Sequence, residues 1–572
     1  METTDNPLTD KNQAPCLVQC RQGVSVLYKD HYLYSKYDPS KSIKQIISNL
    51  KILDETLVLI FSPALWLGLD ELSELIKRDC PHSKIIAFEY DKALYNFSKE
   101  SLSKKNGAEN AHAATENTAP LFFDGSNLNS FIDILQSGKF KRVIKIDFSA
   151  GVSFNKEKYD ELYSLAQSVI DQYWKNKLTL IRFGRLFSKN IFKNLGHLAS
   201  GIPLNSLYKT IEKPILVLGA GESLDKTIAA LKSRDLRATN ALRDNFYILC
   251  VDAALESLLE NGITPDAVVA VEGQLAIEKA YIGKAKNCGV LLIADLVSRS
   301  SIPRITGGPV SFFVSEYAKM NFFTRLSERG VLPPAVAPLG SVGLVAMEIA
   351  LRLRASEDVP VLFSGLDFAF TKGITHAKGT VAHKSQLTKA ARLCPVYNID
   401  AAFANGTSEI TDKNSKKMQT TKVLFNYALL FDETFSDKKN IFDVSESGVA
   451  LKFTRKNLNE FYNDAHASEN KNPVGANVTE TQELLKFNIK KFVKDEIASL
   501  NTLKDILTNG ENSLERKTTL TLDEQIDSLV NDREYLFIHF PDSIQKTNRQ
   551  SFLNRIRIEI DFFLKELCNL KF

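Results

Sequence analysis

Between residues 205 and 455 short apolar runs alternate with stretches of helical periodicity. The runs are ILVLG (215–219), FYILCVD (246–252), DAVVAVEG (266–273), GVLLIAD (289–295), VSFFVS (310–315) and PVLFSG (360–365). Runs this short and this uniformly apolar read as strands buried on both faces, and strands separated by helices pair in parallel. The pattern predicts an α/β domain with a parallel sheet, and helices beginning near Ser223, Ala253, Ser341 and Thr420.

The chain has 572 residues, too many for one core. Residues 1–204 read as a Rossmann-like α/β domain. Strands are expected near Leu57–Phe61 and Ile85–Phe88, with Glu89 at the end of the second, and KRVIKIDF (141–148) restores a strand before a helix. The turn FSPALWLG places Pro63 and bulky side chains where a phosphate would need bare backbone, so this half unit is expected to keep the fold without the ligand. Residues 101–120, polar and weakly patterned, are expected to form an exposed loop. Residues 205–455 form the central domain. Residues 456–572 read as a helical domain, with amphipathic stretches from Thr481 and from Arg549.

Composition narrows the function. A formal net charge of +4 on a chain this long gives no concentrated basic face, so no nucleic-acid partner is expected. No apolar run reaches the roughly 20 residues of a membrane span, and the polar start lacks a secretory pattern. Seven cysteines show no disulfide rhythm, and Cys16 with Cys20 cannot by themselves complete a zinc site. A cytoplasmic setting is expected.

Four segments of the central domain carry chemistry. In KPILVLGAGESLDKTI (213–228), Gly219 and Gly221 turn the chain into a helix whose first amides and positive dipole end suit an anion, with Ser223 as cap or phosphate donor. A structural βα turn uses glycine too, and Glu222 sits awkwardly beside a phosphate. Asp252 and Glu272 each close a strand, and parallel sheets gather ligands at that edge. A lone strand-end aspartate is often only a helix cap. Gly340 and Ser341 open a second helix with an anion-binding start. In GLDFAFTKGITHAKGT (365–380), Asp367 leads into a loop carrying Thr375 and His376; such a histidine can take a proton near neutral pH. His383 follows in a polar stretch. No Walker A, nucleophile-elbow or kinase pattern is present, and no metal-ligand spacing supports a metal site.

Taken in order, VLGAGESLD, GITPDAVVAVEGQ, LGSVGLVAMEIAL and GLDFAFTKGITHAKGT resemble the motility-associated factor (Maf) family, whose central domain is shared with hydroxymethylpterin pyrophosphokinase (MptE-like) proteins. The resemblance covers roughly residues 205–455. It implies a sialyltransferase-like fold and a metal-free, cofactor-free glycosyltransferase. The expected donor is a CMP-activated nonulosonic acid of pseudaminic or legionaminic type, and the expected acceptor a serine or threonine of flagellin. By position, Gly219, Gly221 and Ser223 fall on the family's nucleotide motif, Gly340 and Ser341 on its GGSV-like segment, and Asp367 and His376 on its DLAFT…THA segment. Glu222, Leu339 and Glu272 depart from it.

The transfer needs donors for a departing phosphate and a base for the acceptor hydroxyl. His376 is the candidate base, with Asp367 orienting it or the acceptor, and the two roles are exchangeable at this level. Glu222, Asp252, Glu272 and Thr375 are placed with the donor site. Two alternatives remain open. One is a magnesium-dependent hydroxymethylpterin pyrophosphokinase with Asp252, Glu272 and Asp367 around the ion. The other is a non-catalytic flagellin-binding scaffold.

Overall fold

The computed structural model describes residues 14–108, 120–126, 128–232, 245–315, 317, 320–393, 406–461, 477–509, 521–541 and 549–571. The chain divides into two compact units, Met1–Leu180 and Ile181–Phe572.

The first unit opens with an antiparallel sheet of β1 (Cys16–Gln19), β2 (Val24–Tyr28) and β3 (His31–Tyr32). A parallel sheet follows from β4 (Thr56–Phe61), β5 (Lys84–Phe88), β6 (Leu121–Phe123) and β7 (Arg142–Asp147), in the order β6-β5-β4-β7. The expected strands at 57–61, 85–88 and 141–148 are present. The expected loop over 101–120 needs correction: the helix Lys92–Ala108 continues through its first part, and residues 109–119 lie outside the described residues. Leucine and lysine are good helix formers, and Leu102 packs against the core cluster that contains Trp66. Lys105 also anchors this helix, donating to the Trp66 carbonyl at 3.4 Å and pairing with Asp70 at 2.8 Å.

The second unit is built on a nine-stranded sheet in the order β13-β12-β11-β10-β9-β8-β14-β17-β18, parallel at every described pairing. Its strands are β8 (Ile215–Leu218), β9 (Tyr247–Val251), β10 (Ala267–Ala270), β11 (Leu291–Asp295), β12 (Val310–Ser315), β13 (Ala335–Val336), β14 (Val361–Ser364), β17 (Ile441–Asp443) and β18 (Thr454–Arg455). A hairpin, β15 (Thr407–Thr411) and β16 (Lys417–Thr421), stands apart. All six runs expected as strands are strands, and β8, β9, β10 and β14 are fully buried apart from one residue, as helix-covered parallel strands require.

The strand order creates the site. From β8 the chain winds outward through β9 to β13, then returns by the helix Val342–Leu353 to lay β14 on the other flank of β8. The strand order thus reverses between β8 and β14, and the carboxyl ends of strands at such a switch point are where parallel sheets gather ligands. The C-terminal helices Asn477–Asn509, Leu522–Asn531 and Arg549–Cys568 belong to this second unit. Buried Glu496 ties the first of them to the rest of the unit, ion-paired to Arg325 and accepting from Tyr535 Oη at 2.6 Å. No described helix is long and apolar enough to cross a membrane.

Candidate active site

The glycine turn after β8 is dictated by how closely two backbones cross. Gly219 N donates to Ser364 O, and Gly221 N to Gly365 O, each at 2.8 Å. A Cβ on Gly219 would run into the Gly365 carbonyl, and one on Gly221 would lie 2.5 Å from Asp367 Oδ2. These glycines thus serve the crossing of β8 and β14 before they serve any ligand.

The helix Ser223–Lys232 starts there, and its first amides have an acceptor inside the protein. Ser223 N donates to Asp367 Oδ2 at 2.8 Å, and Ser223 Oγ donates to Asp367 Oδ1. Ser223 Oγ also accepts from Gly365 N at 2.9 Å. Asp367 is 3% exposed, so this carboxylate stands where the sequence led us to expect a phosphate. Burial pushes its carboxyl up to about 6; the donations of Ser223 and the Lys413 charge oppose that, and Glu222 adds to it. Its two oxygens are spent on Ser223, which leaves Asp367 as the organiser of the turn.

The loop after β14 brings His376 to the same place. Ala377 N donates to Ala220 O at 3.0 Å, Lys378 N to Asp225 Oδ1 at 2.8 Å, and Thr371 N to Glu222 Oε2 at 3.1 Å. His376 and Thr375 are half-buried on this rim, with His376 Nδ1 3.1 Å from Thr375 Oγ1. Burial lowers the pKa of His376, so the ring stays neutral to a lower pH than an ordinary histidine. Glu222, which looked unfavourable beside a phosphate, is turned onto the Thr371 amide.

The second helix start adjoins the first. Ser341 is the N-cap of Val342–Leu353 in extended conformation, and its side chain makes no cap hydrogen bond. Gly340 has φ +71°, and its carbonyl accepts from Tyr427 Oη at 2.7 Å. A Cβ on Gly219 or on Gly343 would meet the same methyl, Leu366 Cδ2, at 2.6 and 2.5 Å. One leucine therefore separates the two helix starts.

Asp252 opens the helix Asp252–Glu260, with Oδ1 accepting from Ala253 N at 2.7 Å. Burial, with a smaller push from Glu272, drives its carboxyl up to about 7. Glu272 is half-buried and accepts from Gln274 N at 2.9 Å. Among the described residues no three His, Cys, Asp or Glu side chains come together as a metal-binding group, so Asp252, Glu272 and Asp367 do not converge.

Sequence reasoning missed two asparagines one turn apart in the helix Lys156–Leu198. Asn190 Nδ2 donates to Gly273 O and Val297 O, each at 3.0 Å, and Asn194 Nδ2 to Leu296 O and Ser298 O, each at 2.9 Å. Both are buried, and between them they hold the loops after β10 and β11, including the residue next to Glu272. Amides spaced i, i+4 on an otherwise apolar face were the available signal.

At the β8/β14 switch point of this α/β unit two helix starts and the loop carrying His376 come together. Residues 189–373 match the family described as 6-hydroxymethylpterin diphosphokinase MptE-like. The match starts beside Asn190, where the helix begins to clamp the sheet loops. The chain shares its fold with a solved Maf glycosyltransferase from Magnetospirillum magneticum AMB-1: 13% identity, TM-score 0.53, covering 98% of this chain and 92% of that one. Fold and segment match both support the resemblance to Maf proteins read from the sequence. The chain belongs to one family with an uncharacterized protein of Treponema pallidum (strain Nichols), to which it is 31% identical over 97% of its length and 95% of the relative's.

Proposed function

We propose that this protein is a cytoplasmic glycosyltransferase. It moves a nonulosonic acid of pseudaminic or legionaminic type from its CMP-activated form to serine or threonine hydroxyls of flagellin, using no metal or cofactor. The observation carrying the reading is the latch between Ala377 N and Ala220 O, which holds the His376 loop against the turn after β8, at the sheet's switch point. The fold shared with a Maf glycosyltransferase supports it.

In the transfer, the bond from the sugar's anomeric carbon to the phosphate oxygen breaks, and its electron pair leaves with CMP. A bond from the acceptor oxygen to that carbon forms, and the hydroxyl proton passes to the bare nitrogen of His376. A ring kept neutral by burial is ready for this role. With the Ser223 amide committed to Asp367, the phosphate is assigned to the start of Val342–Leu353 and the Ser341 hydroxyl. Asp367 keeps a positioning role, and Glu222, Asp252, Glu272 and Thr375 are assigned to the donor side.

Co-expression with a flagellin and a CMP-nonulosonate pathway, followed by intact-mass measurement of flagellin, tests the reading. Hydroxyl-linked mass increments that vanish with His376→Ala are expected. The MptE-like match favours a second reading, magnesium-dependent pyrophosphate transfer from ATP to a hydroxymethylpterin. Unchanged flagellin masses with magnesium-dependent AMP release from ATP and a hydroxymethylpterin would establish the second and overturn the first.

A further inference from the structure

His376 is backed by a relay of neutral groups. Thr375 Oγ1, 3.1 Å from His376 Nδ1, lies 3.0 Å from the side-chain amide of Gln386. Gln386 stands on the helix Val381–Lys389, whose N-cap Thr380 is locked in place: its Oγ1 accepts from His383 N at 3.3 Å and donates to Ala377 O at 2.7 Å. The backbone on both sides of the relay is thereby held. We infer that Gln386 is a positioning residue for His376, acting through Thr375 to choose which ring nitrogen carries the proton. The inference rests on the reading of His376 as proton acceptor.

A hydroxyl in such a chain accepts on one side and donates on the other, and each bond strengthens its neighbour. With the amide nitrogen toward Thr375, the hydroxyl accepts from Gln386 and donates to Nδ1. The ring proton then sits on Nε2, and His376 shows the crevice a donor. With the amide turned over, Oε1 accepts the Thr375 proton and Thr375 accepts from Nδ1–H. Nε2 is then bare and able to take a proton. The two amide orientations have nearly the same shape, so a half-turn of the Gln386 amide, with the Nε2 proton given up to solvent and one taken from solvent at Nδ1, converts the donor form to the base form.

The charged groups around this loop are engaged elsewhere. Glu222 accepts from Thr371 N, Asp225 from Lys378 N, and Glu256 and Glu260 pair with Lys384 at 3.2 and 2.5 Å. The His383 ring lies 3.3 Å from Gly379 N. That leaves the choice of tautomer to Thr375 and Gln386.

The test uses the full chain with 15N-labelled histidine, whose ring-nitrogen resonances separate a protonated from a bare nitrogen, the His376 signal being the one lost in His376→Gln. In Gln386→Glu the carboxylate only accepts, so the Nδ1–H form with bare Nε2 is expected throughout. The acidic limb of the pH–kcat profile should then move up, because an anion at the end of the relay favours the imidazolium. In Gln386→Met, which neither donates nor accepts, the tautomers should mix, and kcat should fall about ten- to a hundredfold with KM for the CMP-sugar within twofold. The same tautomer and the same pH limb in all three chains would overturn the inference. If Gln386→Met fails to fold, Gln386→Glu alone decides. Resonances that follow the expectation in a chain without transferase activity would uphold the relay and overturn the proposed function.

Discussion

The molecule carries two parallel sheets with the same kind of switch point, and their crevices have opposite fates. In the first unit the turn after β4 holds Ser62, Ala64 and Trp66 at positive φ (+49°, +41° and +56°), a conformation that favours glycine. The strain is offset by filling: Trp66 is fully buried and its indole donates to Ser98 O at 2.8 Å. The acid at the end of β5 is equally committed. Glu89 accepts from Ser62 Oγ at 2.6 Å, Tyr159 Oη at 3.0 Å and Asp91 N at 3.0 Å, and is 1% exposed. In the second unit the turn is glycine, the internal carboxylate of Asp367 caps only one of two helix starts, and Glu222, Thr375, His376 and Ser341 stay partly exposed. Topology gives both sheets a switch point; whether a ligand fits there is decided by the side chains in the returning loops.

The largest expected effect breaks the comparison at its glycines. Gly219→Ala places a methyl against the Gly365 carbonyl, and Gly221→Ala one against Asp367. Neither neighbour is the free end of a flexible side chain, so each substitution is expected to cost roughly 3 kcal/mol or more in urea unfolding and to abolish transfer. Unchanged stability in both would show that the second crevice tolerates the filling seen in the first.

Asp367→Ala comes next. It leaves the Ser223 amide and hydroxyl without their acceptor in a buried place, an expected loss of about 2–4 kcal/mol, while Asp367→Asn keeps one acceptor and loses less. Equal losses in the two variants would mean that the carboxylate does not anchor the turn.

The limits of the sequence follow from the same contacts. Apolar runs announced the parallel sheets, because burial on both faces leaves its mark in composition. The glycines at 219 and 221 announced a tight turn. What they face was invisible: Asp367 lies 144 residues beyond Ser223, and no local pattern encodes that pairing. The amide of Gln386 was illegible for a similar reason, since a lone polar residue in a helix reads as solvent-exposed until its partner is seen, whereas Asn190 and Asn194 left the mark of their i, i+4 spacing. The polar stretch at 101–108 misled because helix propensity does not need an apolar stripe.

Asp252→Asn sharpens the comparison through pH. The folded carboxyl titrates near 7 against an ordinary 3.8, so the folded state holds its proton more tightly than the unfolded one. The resulting stability is complete below the unfolded value and is lost as pH rises through about 7. Asparagine mimics the protonated acid at every pH. The unsubstituted chain should lose about 1–3 °C more in unfolding temperature than Asp252→Asn between pH 5 and pH 8. Parallel curves would place the Asp252 carboxyl in solvent.

The smallest expected effect is the most direct test of the filled crevice. Burial pushes the Glu89 carboxyl above the usual range against the donations of Ser62, Asp91 N and Tyr159. The stability this proton gives is therefore complete below the ordinary glutamate range and is lost as pH rises through the raised value. Glu89→Gln removes that titration at the cost of one acceptor position, and the two changes oppose each other near neutrality. Stability at pH 7 is expected within about 1 kcal/mol of the unsubstituted chain, and the proposed transfer to flagellin within twofold, because every polar contact of Glu89 described above is internal to the first unit. A tenfold loss of transfer or of donor binding, with the fold intact, would show that the acid at the end of β5 serves a ligand, and the contrast between the two sheets would fail.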